Sequence, residues 1–149
     1  MTATASLPNA KDLSKDVPSS PHAQVGGYVL AGRILDKCRA TLAGTNGEYH
    51  FACPLDQQFF GFTGIDADAF KDFVATGADD AAVGKWIIEH SARSEPEAKL
   101  WNLQMKDTRI TDMPIHLQLF LHDYVAEFIP ANRRVYTWFD VYDLEEGHI

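Results

Sequence analysis

The sequence predicts an all-α, single-domain bundle of about six helices with short loops, and three observations carry that expectation. Apolar residues recur at helical spacing through most of the chain. Helix punctuation recurs with them, as Ser, Thr or Asp ahead of a periodic run and Gly or Pro behind it. A length of 149 residues, 46% of them apolar, is enough for one sizeable core. Residues 27–149 form the expected helical domain. Residues 1–26, punctuated by Pro8, Pro18 and Pro21, read as an arm that is either partly disordered or docked on the domain.

From Tyr28, the residues Leu30, Ile34, Leu35, Cys38 and Leu42 make one apolar stripe that stops at Gly44. Arg33, Asp36, Lys37 and Arg39 fall on the other side and are expected to face solvent. Asp36, three residues from both Arg33 and Arg39, reads first as an exposed charge pair. Asn46-Gly47 signals a turn, and the alternation of Glu48, Tyr49, His50 and Phe51 leaves room for one short extended piece near Tyr49. Pro54 then suits the first position of a helix that buries Leu55, Phe59 and Phe62.

Asp66 is an N-cap candidate for a helix carrying Phe70, Phe73 and Val74. Asp79 or Asp80 caps the next, whose stripe of Val83, Trp86 and Ile87 continues to His90, a core or rim histidine. Ser94 with Glu97 forms a capping box for a helix reaching about Lys106. The longest helix spans residues 113–129 and is closed by Pro130. Leu117, Phe120, Leu121, Tyr124, Val125 and Phe128 are its expected main face, with Ile115, Leu119 and Ala126 almost opposite. A helix apolar on two sides is either central or shared with a second subunit. Thr137 with Asp140 caps a final short helix, and the acidic end at Asp143, Glu145 and Glu146 reads as solvated.

Composition excludes several functions. Thirteen Lys and Arg against twenty-one Asp and Glu give a net charge of −8, which repels nucleic-acid backbones and anionic membranes. No apolar run approaches the roughly 20 residues a bilayer requires, and no secretory signal is read at the start. Two cysteines are too few for a disulfide framework and fit the reducing cytoplasm. Phosphate-binding glycine loops and the GxSxG nucleophile motif are missing.

The turn at residues 48–56 is the expected functional site. Cys53 sits at a helix start, where free N–H groups and the helix dipole favour a thiolate, and His50 lies three residues earlier as a candidate base. The plainer reading is a packed thiol beside a structural histidine. Tyr49 and Asp56 would line a ligand site there, with Arg39 supplying positive charge and Asp36 a further candidate. No metal site is expected: His50 and Cys53 lack a second ligand pair, and His116, Asp123 and Glu127 on the long helix lack a partner helix. No cofactor is identified.

The run GRILDKCRATLAGTNGEYHFACPLDQQFFGFTGID, with DLSKDVPSSP before it and DDAAVGKWIIEHS and TWFDVYDLEEG after it, resembles a small bacterial family known only as a domain of unknown function. The resemblance runs from Asp12 onward and is strongest at Leu35-Asp36-Lys37, Gly47-Glu48-Tyr49 and Pro54-Leu55-Asp56. It implies one domain and draws attention to Asp36, Tyr49 and Asp56. No activity comes with it. Two functions remain near parity: a small-molecule-binding or enzymatic pocket at the turn, and an interaction or homo-oligomerisation module using the helix at residues 113–129.

Overall fold

Seven α-helices follow one another in the computed structural model, which describes residues 9–149. They are α1 (Ala31–Ala43), α2 (Pro54–Thr63), α3 (Ala67–Val74), α4 (Asp80–His90), α5 (Glu95–Lys106), α6 (Ile115–Phe128) and α7 (Trp138–Glu145), with a 3₁₀ turn at Ile110–Asp112. The expected caps form. The side chains of Asp66 and Asp79 accept the Ala69 and Ala82 amides, and Ser94–Glu97 and Thr137–Asp140 close complete capping boxes. Gly44 and Gly64 end α1 and α2 in the left-handed conformation.

One continuous core runs through all seven helices. Its aromatic centre sets Tyr28, Phe59 and Trp101 edge to face, at ring separations of 5.4 Å for Tyr28–Phe59 and 5.9 Å for Tyr28–Trp101. Phe59 is fully buried, and such a side chain contributes roughly 1.5–3 kcal/mol. Among the described residues no strand forms. The short extended piece for which the sequence left room near Tyr49 does not form; the chain closes a turn there, as the Tyr49 amide donates to the Asn46 carbonyl (2.9 Å) and the Asn46 side chain donates to the Tyr49 carbonyl (2.8 Å).

α1 overturns the expectation of a solvent-facing charged side: every residue from Ala31 to Ala40 is buried. The apolar stripe packs as expected, but the opposite side is covered too. Residues 9–26 dock across it, with Leu13, Pro18 and Pro21 buried. The Leu13 amide bonds the Thr45 carbonyl, and Pro21 accepts from Leu30. Gly47 has no room for a side chain, since a Cβ there would lie 2.6 Å from the Leu13 carbonyl oxygen. The remaining arm residues, 1–8, lie outside the described residues.

α6 is held on a narrow seam. Leu121 is its one fully buried side chain and Leu117, Tyr124 and Val125 are half-buried, whereas Phe120 and Phe128, expected on the core face, are exposed. His90 is also exposed, stacked on Trp86 at 4.1 Å, which makes it a rim histidine. No helix among the described residues is long and apolar enough to cross a membrane.

Candidate functional site

The turn before α2 is shaped by a short polar relay. Ala52 adopts a left-handed backbone, φ 61°, a conformation that costs a non-glycine residue on the order of 1 kcal/mol. Its amide donates to Asp56 Oδ2 at 2.9 Å, and its carbonyl accepts from the Gln57 side chain at 3.1 Å. These contacts offset the strain and deliver Cys53 to the N-cap of α2, with Pro54 next. Asp56 is completely buried, and its other oxygen accepts from Lys37 Nζ at 2.9 Å. The same ammonium donates to Cys53 Sγ at 3.2 Å. Lys37 on α1 therefore joins the carboxylate that shapes the turn to the thiol that the turn presents.

One turn earlier on α1, Arg33 forms a bidentate pair with Glu146, at 2.6 and 2.7 Å. Both side chains are buried. The guanidinium lies 4.8 Å from the Tyr142 ring and 5.7 Å from the Tyr49 ring. Burial, the largest influence on Arg33, opposes its charge, but Glu146 with Tyr142 and Tyr49 outweighs it and the proton is held more tightly than usual. Tyr124 on α6 donates to the Glu145 carboxylate beside this pair. Burial raises Glu145 from its ordinary value. Burial likewise pushes up Tyr49 and Tyr124, and pushes Tyr142 up to about 12. Two phenols, Tyr49 and Tyr142, thus flank the guanidinium, and a third, Tyr124, is held on the adjacent Glu145 carboxylate.

Of the six candidate residues, the structure brings Cys53 and Asp56 together on Lys37, while Tyr49 stands beside the neighbouring Arg33–Glu146 pair. His50 is exposed and makes no hydrogen bond to Cys53; Lys37 occupies the position expected of it. Arg39 lies elsewhere, donating to Asp80 (2.7 Å) and the Ala78 carbonyl (3.0 Å) to tie α1 to the start of α4. Asp36 pairs with neither Arg33 nor Arg39. It accepts from the Ser19 amide (2.8 Å) and hydroxyl (2.6 Å), with Lys11 Nζ at 3.4 Å, and so fastens the arm. Cys38 is fully buried, and burial pushes its thiol up to about 12.

Sequence reasoning missed Lys37, Arg33, Tyr142 and Glu146. The available signal was the i,i+4 spacing of Arg33 and Lys37 beside an acidic tail. Among the described residues, no three His, Cys, Asp or Glu side chains converge as a metal site requires. Three clefts of about 630, 620 and 750 Å³ are lined by other segments, so the turn presents its half-buried thiol outside them.

The fold and cluster define a one-domain helical protein built around buried charges, with a half-buried cysteine at a helix start. The chain belongs to the family described as Domain of unknown function (DUF5069), which matches residues 15–148 and so takes in both the arm that meets Asp36 and the tail that meets Arg33. No curated protein matches the chain.

The phenols give the cluster a pH signature. Tyr142 binds its proton more tightly folded than unfolded, so its contribution to stability is complete below its ordinary value of 10 and is lost as pH rises towards about 12. Urea unfolding should show stability falling between about pH 10 and about pH 12, and Tyr142→Phe should flatten that fall.

Proposed function

We propose that the protein is a thiol-dependent binder or enzyme in which Cys53 adds to a small electrophilic molecule at the turn before α2. The observation that carries this reading is the Lys37 ammonium 3.2 Å from Cys53 Sγ. That ammonium and the start of a ten-residue helix both set positive charge beside the sulfur. Asp56 fixes the ammonium and, through the Ala52 amide, the backbone leading to the thiol. The roles follow from position: Cys53 is the nucleophile and Lys37 its electrostatic partner. A free, uncrosslinked thiol suits a reducing compartment such as the cytoplasm.

Iodoacetamide labelling of the folded protein, followed by peptide mass spectrometry, tests the reading. Cys53 should be modified at least about tenfold faster than the buried Cys38. Lys37→Met should slow Cys53 several-fold while circular dichroism shows the fold retained, and Lys37→Arg should restore part of the rate. Equal, slow labelling of both cysteines contradicts the proposal.

A second reading rests on α6, where Ile115, Leu119 and Phe120 are 68%, 61% and 55% exposed. We infer a second copy of this chain as the occupant, because α6 and the segment that follows it expose both signs of charge. Asp123 and Glu127 are exposed on α6, and Arg133 and Arg134 are exposed just beyond it, in no ion pair among the described residues. A two-fold interface requires such self-complementarity. Sedimentation should give a mass that rises with concentration, and Leu119→Glu should abolish the rise. A wild-type protein that stays monomeric throughout counts against this reading.

A further inference from the structure

The cleft between α4, α5 and the Gly26–Gly27 loop has a volume of about 630 Å³, within the range that accepts a small molecule. Its walls are apolar and uncovered: Ile88 from α4 and Leu103 from α5 are each 64% exposed, with Ala98 between turns of α5. An apolar body laid over side chains that large would remove their surface from water, which is favourable. The α5 residues that line the cleft run from Glu95 to Lys106, a span of about 16 Å at 1.5 Å per residue, so the site suits an elongated occupant.

The floor is fixed in advance. Asn102 accepts the Val29 amide at 3.0 Å and donates to the Gly27 carbonyl at 2.8 Å, which holds the loop against α5. Gly26, φ 63°, lies so close to α4 that a Cβ there would meet the Gly84 carbonyl oxygen at 2.8 Å. Loop, α4 and α5 are therefore held together without help from a ligand, and binding need not order them.

The hydrogen-bond inventory leaves one donor over. Tyr28 Oη and Ser91 Oγ are 2.7 Å apart, and Ser91 Oγ also accepts the Arg93 amide at 3.1 Å. Whichever hydroxyl donates to the other, one hydroxyl proton has no protein acceptor among the described residues. Both residues line the cleft, and Tyr28 is almost completely buried. The charged lining is also one-sided: Arg93, Lys99 and Lys106 against Glu95 alone. Lys99 is partnered by Glu95 at 3.2 Å and Arg93 by Glu97 at 3.4 Å, so of the three basic lining residues Lys106 is the one in no ion pair among the described residues.

We propose that this cleft binds an apolar-bodied monocarboxylate of the medium-chain fatty-acid kind. The chain covers Ile88, Ala98 and Leu103. The carboxylate accepts a hydrogen bond from the spare hydroxyl of the Tyr28–Ser91 pair, and Lys106 supplies the one unpaired positive charge of the lining. An alkylamine of equal length offers no acceptor and meets like charge, so sign discriminates between the two. The site is independent of Cys53 and stands whether or not the thiol is reactive.

Titration calorimetry of the full chain with octanoate, and separately with octylamine, tests the proposal. Octanoate should bind saturably with one-to-one stoichiometry, and octylamine at least roughly tenfold more weakly, a difference of about 1.4 kcal/mol. Leu103→Asp alters an exposed position, so the protein should still fold, and octanoate affinity should fall by a similar factor. Lys106→Glu should weaken octanoate and leave octylamine no weaker. Absence of saturable octanoate binding, equal affinity for the amine, or an affinity unchanged by Leu103→Asp would each overturn it.

Discussion

The Lys37 ammonium is the interaction on which both fold and site depend. It lies in the interior with its charge divided between Asp56 and Cys53. An unpaired charge there would carry a desolvation cost of several kcal/mol, so α1 occupies the centre only because α2 brings a carboxylate to it. That carboxylate in turn sets the backbone at Ala52 and hence the position of the thiol. Structural necessity and chemical opportunity meet in one side chain: the cation needed to neutralise Asp56 is the cation that stands beside Cys53.

The same logic repeats along α1. Arg33 is matched by Glu146 from the C-terminal end, Asp36 by Ser19 and Lys11 from the arm, and Arg39 by Asp80 at the start of α4. Four charged residues on successive faces thus recruit four different segments. Apolar residues in their place would pack against many neighbours, whereas a buried charge tolerates only its counterpart. The described part of the arm meets the C-terminal segment as a result: His148 lies 3.1 Å from the Pro18 carbonyl oxygen, beside the Arg33–Glu146 pair. The phenols of Tyr49 and Tyr142 flank that pair and keep their protons because they share its dry surroundings.

How much of this was legible follows from how far each signal reaches along the chain. Helix starts at Asp66, Asp79, Ser94 and Thr137 were readable because a cap is written in four consecutive residues. The position of Cys53 at the start of α2 was readable for the same reason, through Pro54. The charges of α1 were misread because hydrophobic periodicity assigns every charged residue to solvent. The counterion of Arg33 lies 113 residues away, beyond any local pattern. His50 was favoured over Lys37 as the partner of Cys53 since sequence proximity stood in for spatial proximity. On α6 the expected main face did meet the core, through Leu117, Leu121, Tyr124 and Val125, but periodicity did not show how narrow that seam is, with Phe120 and Phe128 at its edges left exposed.

The central claim is that Lys37 and Asp56 act as one buried unit around which α1 and α2 are joined. A double-mutant cycle with Lys37→Met and Asp56→Leu, read by urea unfolding, tests it most directly. Each single substitution strands a buried charge and should cost about 3–5 kcal/mol, while the double substitution leaves none stranded and should cost far less than the sum. Additive losses would show that the two side chains stabilise the protein independently, and would contradict the account.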